Sequence, residues 1–253
     1  MGLRRRLDRE LVRRGLADSR EQAQALIDAD RVTVDGAPTR KPSRQIAVDE
    51  QIEVLGPPAR FVGRGGEKLA AALQQFGIAV RGRRALDAGS STGGFTDCLL
   101  QAGAAGVVAV DVGRGQLHPR LRADPRVEVR ERTDIRALDP DEVDAPFEIV
   151  VADLSFISLR LVADALIALG GQTTDWVLLV KPQFEAGRVE VSRGGGVIRD
   201  PEVRQRAVAA VVAAMESRGL GIMGVMASPV TGADGNVEYL VHGGLRSPEE
   251  SAP

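Results

Sequence analysis

Between residues 84 and 241, apolar runs of strand length alternate with stretches patterned as helices, and this alternation constrains the fold more than any other feature. The runs are Arg84-Ala85-Leu86-Asp87-Ala88, Gly106-Val107-Val108-Ala109-Val110-Asp111, Val127-Glu128-Val129, Phe147-Glu148-Ile149-Val150-Val151-Ala152-Asp153 and Asp175-Trp176-Val177-Leu178-Leu179-Val180-Lys181. Several are apolar at nearly every position, so they need cover on both faces. The pattern predicts an α/β fold with a Rossmann-like, mostly parallel sheet between helices. Helices are expected from Phe95 to Gln101, from about Ser158 to Leu169, and after Asp200-Pro201, where Asp caps and Pro fills the first helical position. The last two strands, Gly221 to Ala227 and Val237-Glu238-Tyr239-Leu240-Val241, are separated only by a Gly/Asp/Asn-rich turn. They should pair as a hairpin and make one edge antiparallel.

A chemically different segment precedes this core. Residues 1–44 carry eleven Lys/Arg against seven Asp/Glu, while the rest carries 22 against 28, so a basic head sits on an acidic body. Leu7, Leu11 and Val12 have helical spacing up to Gly15. Ser19-Arg20-Glu21-Gln22 reads as a capping box that opens a second helix with Ala23, Leu26 and Ile27 on its apolar face. Val32-Thr33-Val34, an Asp35-Gly36 turn and a strand around Gln51-Ile52-Glu53-Val54-Leu55 complete a small α+β unit. We expect this domain over residues 1–55, a linker over 56–62 that contains Gly56-Pro57-Pro58-Ala59, a catalytic domain over 63–246 and a flexible tail over 247–253.

Several function classes are disfavoured. No apolar run reaches the roughly 20 residues of a membrane helix, and the charged start Arg4-Arg5-Arg6-Leu7-Asp8 is not followed by the apolar stretch of a signal peptide. Cys98 is the single cysteine, which rules out an internal disulfide and fits a reducing, cytoplasmic setting. His118 and His242 are isolated, so no metal is expected. Aromatic residues make up only 3%, which argues against a broad base-stacking platform.

Ligands of such sheets bind beyond the carboxyl ends of the strands. There the first turn reads Asp87-Ala88-Gly89-Ser90-Ser91-Thr92-Gly93-Gly94-Phe95, and Asp111 ends the second strand, where a carboxylate can accept both ribose hydroxyls of an adenosine. These features alone suit a dinucleotide as well as S-adenosylmethionine. Asp87 favours the latter, because a carboxylate before the glycine turn repels a pyrophosphate and attracts a cationic amino acid moiety. Asp134, after the third strand, is placed either to meet an adenine amino group or simply to cap a helix.

Four charged residues stand where a buried sheet does not need them: Lys68 before the first strand, Asp153 and Lys181 at the ends of the fourth and fifth strands, which are neighbours if the sheet is ordered as in methyltransferases, and Glu238 in the last strand. A ribose hydroxyl must lose its proton as it attacks a sulfonium methyl. Lys181 is the candidate base or hydroxyl-orienting group, Lys68 a flanking cation that lowers its pKa, and Asp153 and Glu238 carboxylates that steer the amine. Asp153-Leu154-Ser155-Phe156 differs from the Asn-Pro-Pro-Tyr turn of base amino-group methyltransferases, so an oxygen acceptor is expected.

Two resemblances sharpen these expectations. The order Arg6-Leu7-Asp8, Leu11, Gly15, Ser19-Arg20, Ala23, Ile27 and Val32-Thr33-Val34-Asp35-Gly36 resembles the small RNA-binding fold named after the fourth small-subunit ribosomal protein. That resemblance makes Arg4, Arg5, Arg6, Arg13, Arg14 and Arg20 candidate phosphate contacts. The motifs Gly63-Arg64-Gly65-Gly66-Glu67-Lys68-Leu69, Asp87 to Thr96, Asp111-Val112-Gly113-Arg114-Gly115-Gln116-Leu117, Ala152 to Ser158, Val180-Lys181-Pro182-Gln183-Phe184-Glu185 and Gly235-Asn236-Val237-Glu238-Tyr239 are similar to those of the TlyA family, also called hemolysin A. The resemblance implies an FtsJ-like domain whose Lys-Asp-Lys-Glu tetrad falls on Lys68, Asp153, Lys181 and Glu238. It further implies 2′-O-methylation of cytidine in 16S and/or 23S ribosomal RNA within ribosomal subunits, a modification whose loss is linked in the family to tuberactinomycin resistance. The basic start resembles the longer, dual-substrate type, in which a segment at the position of Arg60-Phe61-Val62 affects cofactor binding. A membrane-active hemolysin and a non-catalytic RNA-binding assembly factor are the competing functions.

Overall fold

A computed structural model of the chain describes residues 4–17, 20–56, 59–232 and 234–245. Ser19, the Pro57-Pro58 pair and the tail over 247–253 lie outside the described residues. The chain separates into two compact units, Met1–Gly63 and Arg64–Pro253.

In the first unit, β1 (Arg5–Arg6) leads into α1 (Leu7–Arg13), followed by α2 (Arg20–Asp28), β2 (Val32–Val34), β3 (Ala37–Pro38), β4 (Gln45–Ile46) and β5 (Ile52–Val54). The order of the main sheet is β3-β2-β5, and β1 pairs separately with β4. The tight turn between β2 and β3 holds Asp35 at φ +50° and Gly36 at φ +76°, the left-handed pair an Asp-Gly turn supplies. Leu7, Leu11, Ala23, Ile27, Val32 and Ile46 form the buried core, which explains the helical spacing of the first four.

The second unit begins with α3 (Gly65–Phe76) and continues through β6 (Arg84–Ala88), α4 (Gly94–Gln101), β7 (Gly106–Asp111), α5 (Pro119–Arg122), β8 (Val127–Glu131), β9 (Phe147–Ala152), α6 (Ala163–Ala168), β10 (Gly170–Val180), α7 (Pro182–Glu185), α8 (Arg188–Arg193), α9 (Pro201–Glu216), β11 (Leu220–Ala227) and β12 (Tyr239–Leu245). Its sheet runs β11-β12-β10-β9-β6-β7-β8. The five strands from β10 to β8 are parallel, and β12 is antiparallel to both neighbours, so the expected hairpin puts β11 at the edge. One face buries Leu86, Val150, Leu178 and Val241 with Leu166 of α6 and Val211 and Met215 of α9. Trp176 is fully buried there, and its indole N–H donates to the Leu166 carbonyl at 2.9 Å. Asp200 caps α9 as expected, accepting from the Glu202 amide at 2.8 Å.

Three local expectations are corrected. The helix expected over 158–169 is a 3-10 turn, Leu159–Leu161, followed by α6, because Val162 sits at φ −115°, ψ 3° and interrupts it. The β10 strand starts at Gly170, with a register shift before Asp175. Glu238 precedes β12 instead of lying within it.

Candidate active site

The chain runs from β6 outward through β7 to β8 and then returns to place β9 on the other side of β6. This reversal opens a crevice at the carboxyl ends of β6 and β9. A cavity of about 460 Å³ lies there, within the range of small-ligand sites, and Gly89, Ser91, Asp111, Gln116, Asp134 and Phe156 are among its walls. Gly89 adopts φ +85°, and a Cβ there would come within 2.6 Å of the Asp153 carbonyl oxygen, so the turn after β6 closes against the turn after β9 only with glycine. Gly93, at φ +100°, similarly has the Leu121 side chain where a Cβ would project.

Asp111 is fixed at the rim by two amides: Ser91 N–H donates to it at 2.8 Å and Gly113 N–H at 2.6 Å. Each carboxylate oxygen retains a further lone pair for a ribose hydroxyl. Asp134 is the cap that its position allowed. It caps a short 3-10 turn by accepting from the Arg136 amide at 2.9 Å, and it also lines the cavity. Hydrogen bonding from the Arg136 side chain holds its carboxyl down at about 2. Ser90, Thr92, Gly93, Gly94 and Phe95 are not on the cavity wall and instead shape the turn and the start of α4.

Asp87 is completely buried. Its Oδ2 accepts from the Thr96 hydroxyl at 2.6 Å, whereas Oδ1 has no partner among the described residues. Burial pushes this carboxyl up to about 7, with the negative charges of Asp153 and Asp111 adding to the effect. The cavity wall holds Asp111, Asp134 and Asp153, which suits a cationic ligand and disfavours a pyrophosphate, while Asp87 is buried behind the turn and is not itself on that wall. The donor set therefore fits S-adenosylmethionine.

The four candidate catalytic residues gather at this same end of the sheet as two ion pairs. Lys181 follows β10 and lies 2.5 Å from Asp153, which follows β9. Lys68 of α3 lies 2.5 Å from Glu238, and both side chains are buried. The pairing of Val180 with Tyr239 brings Lys181 and Glu238 to one end of their strands. A Cβ on Gly65, the first residue of α3, would be 3.6 Å from Asp153 Oδ2, so the helix carrying Lys68 begins against the Lys181–Asp153 pair. Glu238, expected to steer Lys181, is thus engaged by Lys68.

Sequence reasoning missed three features beside the pairs. Lys181 donates to the Ser155 hydroxyl at 2.8 Å. Phe156 is 91% exposed, holds φ +64° and lies 5.3 Å from the Phe184 ring. An exposed aromatic residue with a left-handed backbone is uncommon, and its place immediately after a candidate catalytic turn was the available signal. Gln116 lines the cavity, where its side-chain oxygen accepts from the Ser91 hydroxyl at 3.2 Å.

In the small unit the candidate arginines divide. Arg6 and Arg20 each donate to buried Asp8 at 2.9 Å, and Arg13 and Arg14 donate to buried Glu10 at 2.5 and 2.8 Å. Hydrogen bonds from Arg6 first, and then Arg20, lower the Asp8 carboxyl to about 2; Arg13 and then Arg14 do the same for Glu10. Arg14 also donates to the carbonyls of Glu50, Ala47 and Val48, which makes it a structural tie. Arg4 is exposed and Arg5 partly so.

The FtsJ-like methyltransferase pattern matches residues 61–245, and the S4 domain pattern matches residues 5–52. The chain belongs to the FtsJ-like methyltransferase family. It is 51% identical over 242 residues to the 16S/23S rRNA (cytidine-2′-O)-methyltransferase TlyA of Mycobacterium tuberculosis, covering 95% of this chain and 90% of that one. It is 39% identical to hemolysin A of Brachyspira hyodysenteriae, over 94% of this chain and 98% of the relative. A solved structure described as a hemolysin from Streptococcus thermophilus shares 37% identity at a TM-score of 0.78, covering 97% of this chain and 90% of that chain. Among the described residues of this FtsJ-like protein, no helix is long and apolar enough to cross a membrane.

Proposed function

We propose that this chain methylates the 2′-hydroxyl of cytidine in ribosomal RNA, with S-adenosylmethionine as methyl donor. The observation that carries the reading is the Lys181–Asp153 pair at the mouth of a carboxylate-lined cavity, in a chain of the FtsJ-like family. When bound, S-adenosylmethionine supplies an electrophilic methyl group on a cationic sulfur. Asp111 would hold its ribose and Asp87 would face its cationic amino acid end. The walls at Asp134 and Gln116 would enclose the adenosine.

Lys181 would meet the ribose hydroxyl and accept its proton on the amine's lone pair, while the carbon–oxygen bond would form as the methyl–sulfur bond breaks and the neutral thioether leaves. Asp153 and Ser155 fix the direction of the Lys181 side chain, so the nitrogen that meets the hydroxyl does not have to be ordered at the moment of reaction. The Lys68–Glu238 pair braces α3 against the segment before β12 and presents a second amine to the substrate. Phe156 offers its exposed face to the target cytosine, since a base drawn from its stack is commonly held on an aromatic ring. Arg4 and Arg5 contact RNA phosphates through the S4 domain, with Arg6, Arg13 and Arg20 adding charge from within their ion pairs.

Both subunit RNAs are substrates in this reading, because the relative at 51% identity is named for 16S and 23S RNA together. Mass-spectrometric mapping of ribose methylation in both RNAs, with and without the protein, tests it. Labelled methyl transfer to purified subunits by the wild type and by Lys181→Ala completes the test. Absence of label in both RNAs from the wild type would overturn the reading.

A further inference from the structure

Glu185 is a buried acid that the methyl-transfer scheme leaves unused. It ends the single-turn helix α7, directly after Lys181, and its side chain is 1% exposed. A carboxylate at a helix C-terminus opposes the helix dipole, and burial adds a desolvation cost, so local helix stability does not account for it. Its partners do. Oε1 accepts from the Leu159 amide at 2.7 Å, and Oε2 accepts from the Ser158 hydroxyl at 2.5 Å and from Arg160 Nε at 3.2 Å. Arg160 also donates to the Glu185 backbone carbonyl at 3.2 Å.

All of these donors lie on the segment that leaves Asp153. That segment meets Lys181 at two further points, Asp153 at 2.5 Å and Ser155 at 2.8 Å, and between Ser155 and Ser158 it carries the left-handed Phe156. The strand-end turns after β9 and β10 are thus joined at both ends. At one end is the Lys181 amine, and at the other a carboxylate four residues further along the same chain. The strand pairing of β9 with β10 stops at Ala152, and beyond the Asp153 amide, which donates to the Ala88 carbonyl at 2.9 Å, no ladder bond among the described residues fixes the 154–158 turn.

We propose that Glu185 is a positioning residue for methyl transfer, clamping the 153–160 segment so that Asp153 and Ser155 aim the Lys181 amine and Phe156 stays at the cavity mouth. The inference rests on the reading that Lys181 handles the ribose hydroxyl. A residue that acts through the geometry of the reacting amine affects kcat and its pH profile more than it affects folding or cofactor affinity. A misplacement on the order of 1 Å is enough to lower turnover about 10²-fold.

The test compares wild type, Glu185→Ala, Glu185→Gln, Ser158→Ala and Lys181→Ala as full-length proteins. Methyl transfer to ribosomal subunits is measured across pH, S-adenosylmethionine affinity by calorimetry, and thermal midpoints alongside. The expected result for Glu185→Ala is a kcat loss of about 10²-fold with a displaced pH–kcat profile, larger than the accompanying changes in KM for subunits and in cofactor Kd, which are read alongside because Asp153 to Ile157 also line the cavity. Glu185→Gln keeps an acceptor for Leu159 and should regain part of kcat. Ser158→Ala should lose less than Glu185→Ala. If Glu185→Ala does not fold, Glu185→Gln and Ser158→Ala carry the same kcat-against-KM comparison. Wild-type kcat in the folded variants overturns the inference, and so does a loss that appears only as raised KM or as unfolded protein. If Lys181→Ala is itself fully active, the underlying reading fails and the clamp fails with it; an inactive Lys181→Ala beside a fully active Glu185→Ala removes the clamp alone.

Discussion

The ammonium of Lys68 and the carboxylate of Glu238 meet at 2.5 Å across 170 residues of sequence, and both side chains are buried. Removing either one leaves the other charged and unpaired away from water, which typically costs about 3–5 kcal/mol. Lys68→Ala and Glu238→Ala should each lower the unfolding free energy by about that amount, and the double variant should lose less than their sum. A double-mutant cycle in urea measures the coupling. Activity should remain low in all three variants, because the Lys68 amine is absent in two of them and no longer held by its carboxylate in Glu238→Ala.

Lys181→Ala should lower kcat by about 10²- to 10⁴-fold, the range for a positioned proton acceptor. Cofactor affinity should change little, since Lys181 is not among the residues lining the cavity. Single-turnover methyl transfer and calorimetry separate the two quantities.

Asp87 gives a pH signature of unusual sign. Its carboxyl is pushed up to about 7 from an ordinary 3.8, so the folded protein keeps a proton that the unfolded chain releases. Its stabilising effect is complete below about pH 4 and is lost as pH rises through 7. The stability of Asp87→Asn relative to wild type should therefore increase steadily between pH 4 and 7 in urea titrations. A cationic cofactor should reverse the preference and expel the proton, which calorimetry in buffers of different ionisation enthalpy detects. Asp8 and Glu10 have the opposite sign: their carboxyls are held near 2, so their contribution is present above about pH 4.5 and is lost as pH falls toward 2.

Arg14 and Arg4 should behave differently although both belong to the basic head. Arg14→Ala removes donors from Glu10 and three backbone carbonyls, and should destabilise the small unit by about 1–3 kcal/mol. Arg4→Ala should leave the thermal midpoint unchanged and reduce the salt dependence of RNA binding by about one phosphate contact. Binding titrations at several salt concentrations, set beside thermal melts, distinguish the two.

Phe156→Ala should weaken productive substrate engagement by about 1–3 kcal/mol, the usual range for stacking of one base. Because the ring is 91% exposed, the midpoint of unfolding should hardly move. An unaltered kcat/KM would show that the target base does not use this ring.

Much of the larger domain was legible because burial writes itself into composition. The β9 run is apolar at five of its six positions, and Asp200-Pro201 carries its own start signal for α9. Asp153 and Lys181 stood out because each follows such a run at the end where ligands bind. What escaped depends on partners distant in sequence. The two-residue strands β1 and β4 are too short to show a period, and only tertiary contact pairs Arg5 with Ile46. The six arginines looked alike in sequence, yet Asp8 and Glu10 engage four of them. Glu185 was simply one more acid until its contacts with Ser158 and Leu159 were known.

The position of β12 has a consequence for how the protein comes into being. It is the final strand in sequence order among the described residues, yet it inserts between β10 and β11 instead of adding to an edge. During translation β10 keeps an open side until residues 239–245 have left the ribosome, and Glu238 arrives only with them. A stop codon or frameshift anywhere upstream of residue 238 thus removes an interior strand together with half of a buried charge pair. Alleles of that kind should behave as nulls, however late in the reading frame they fall.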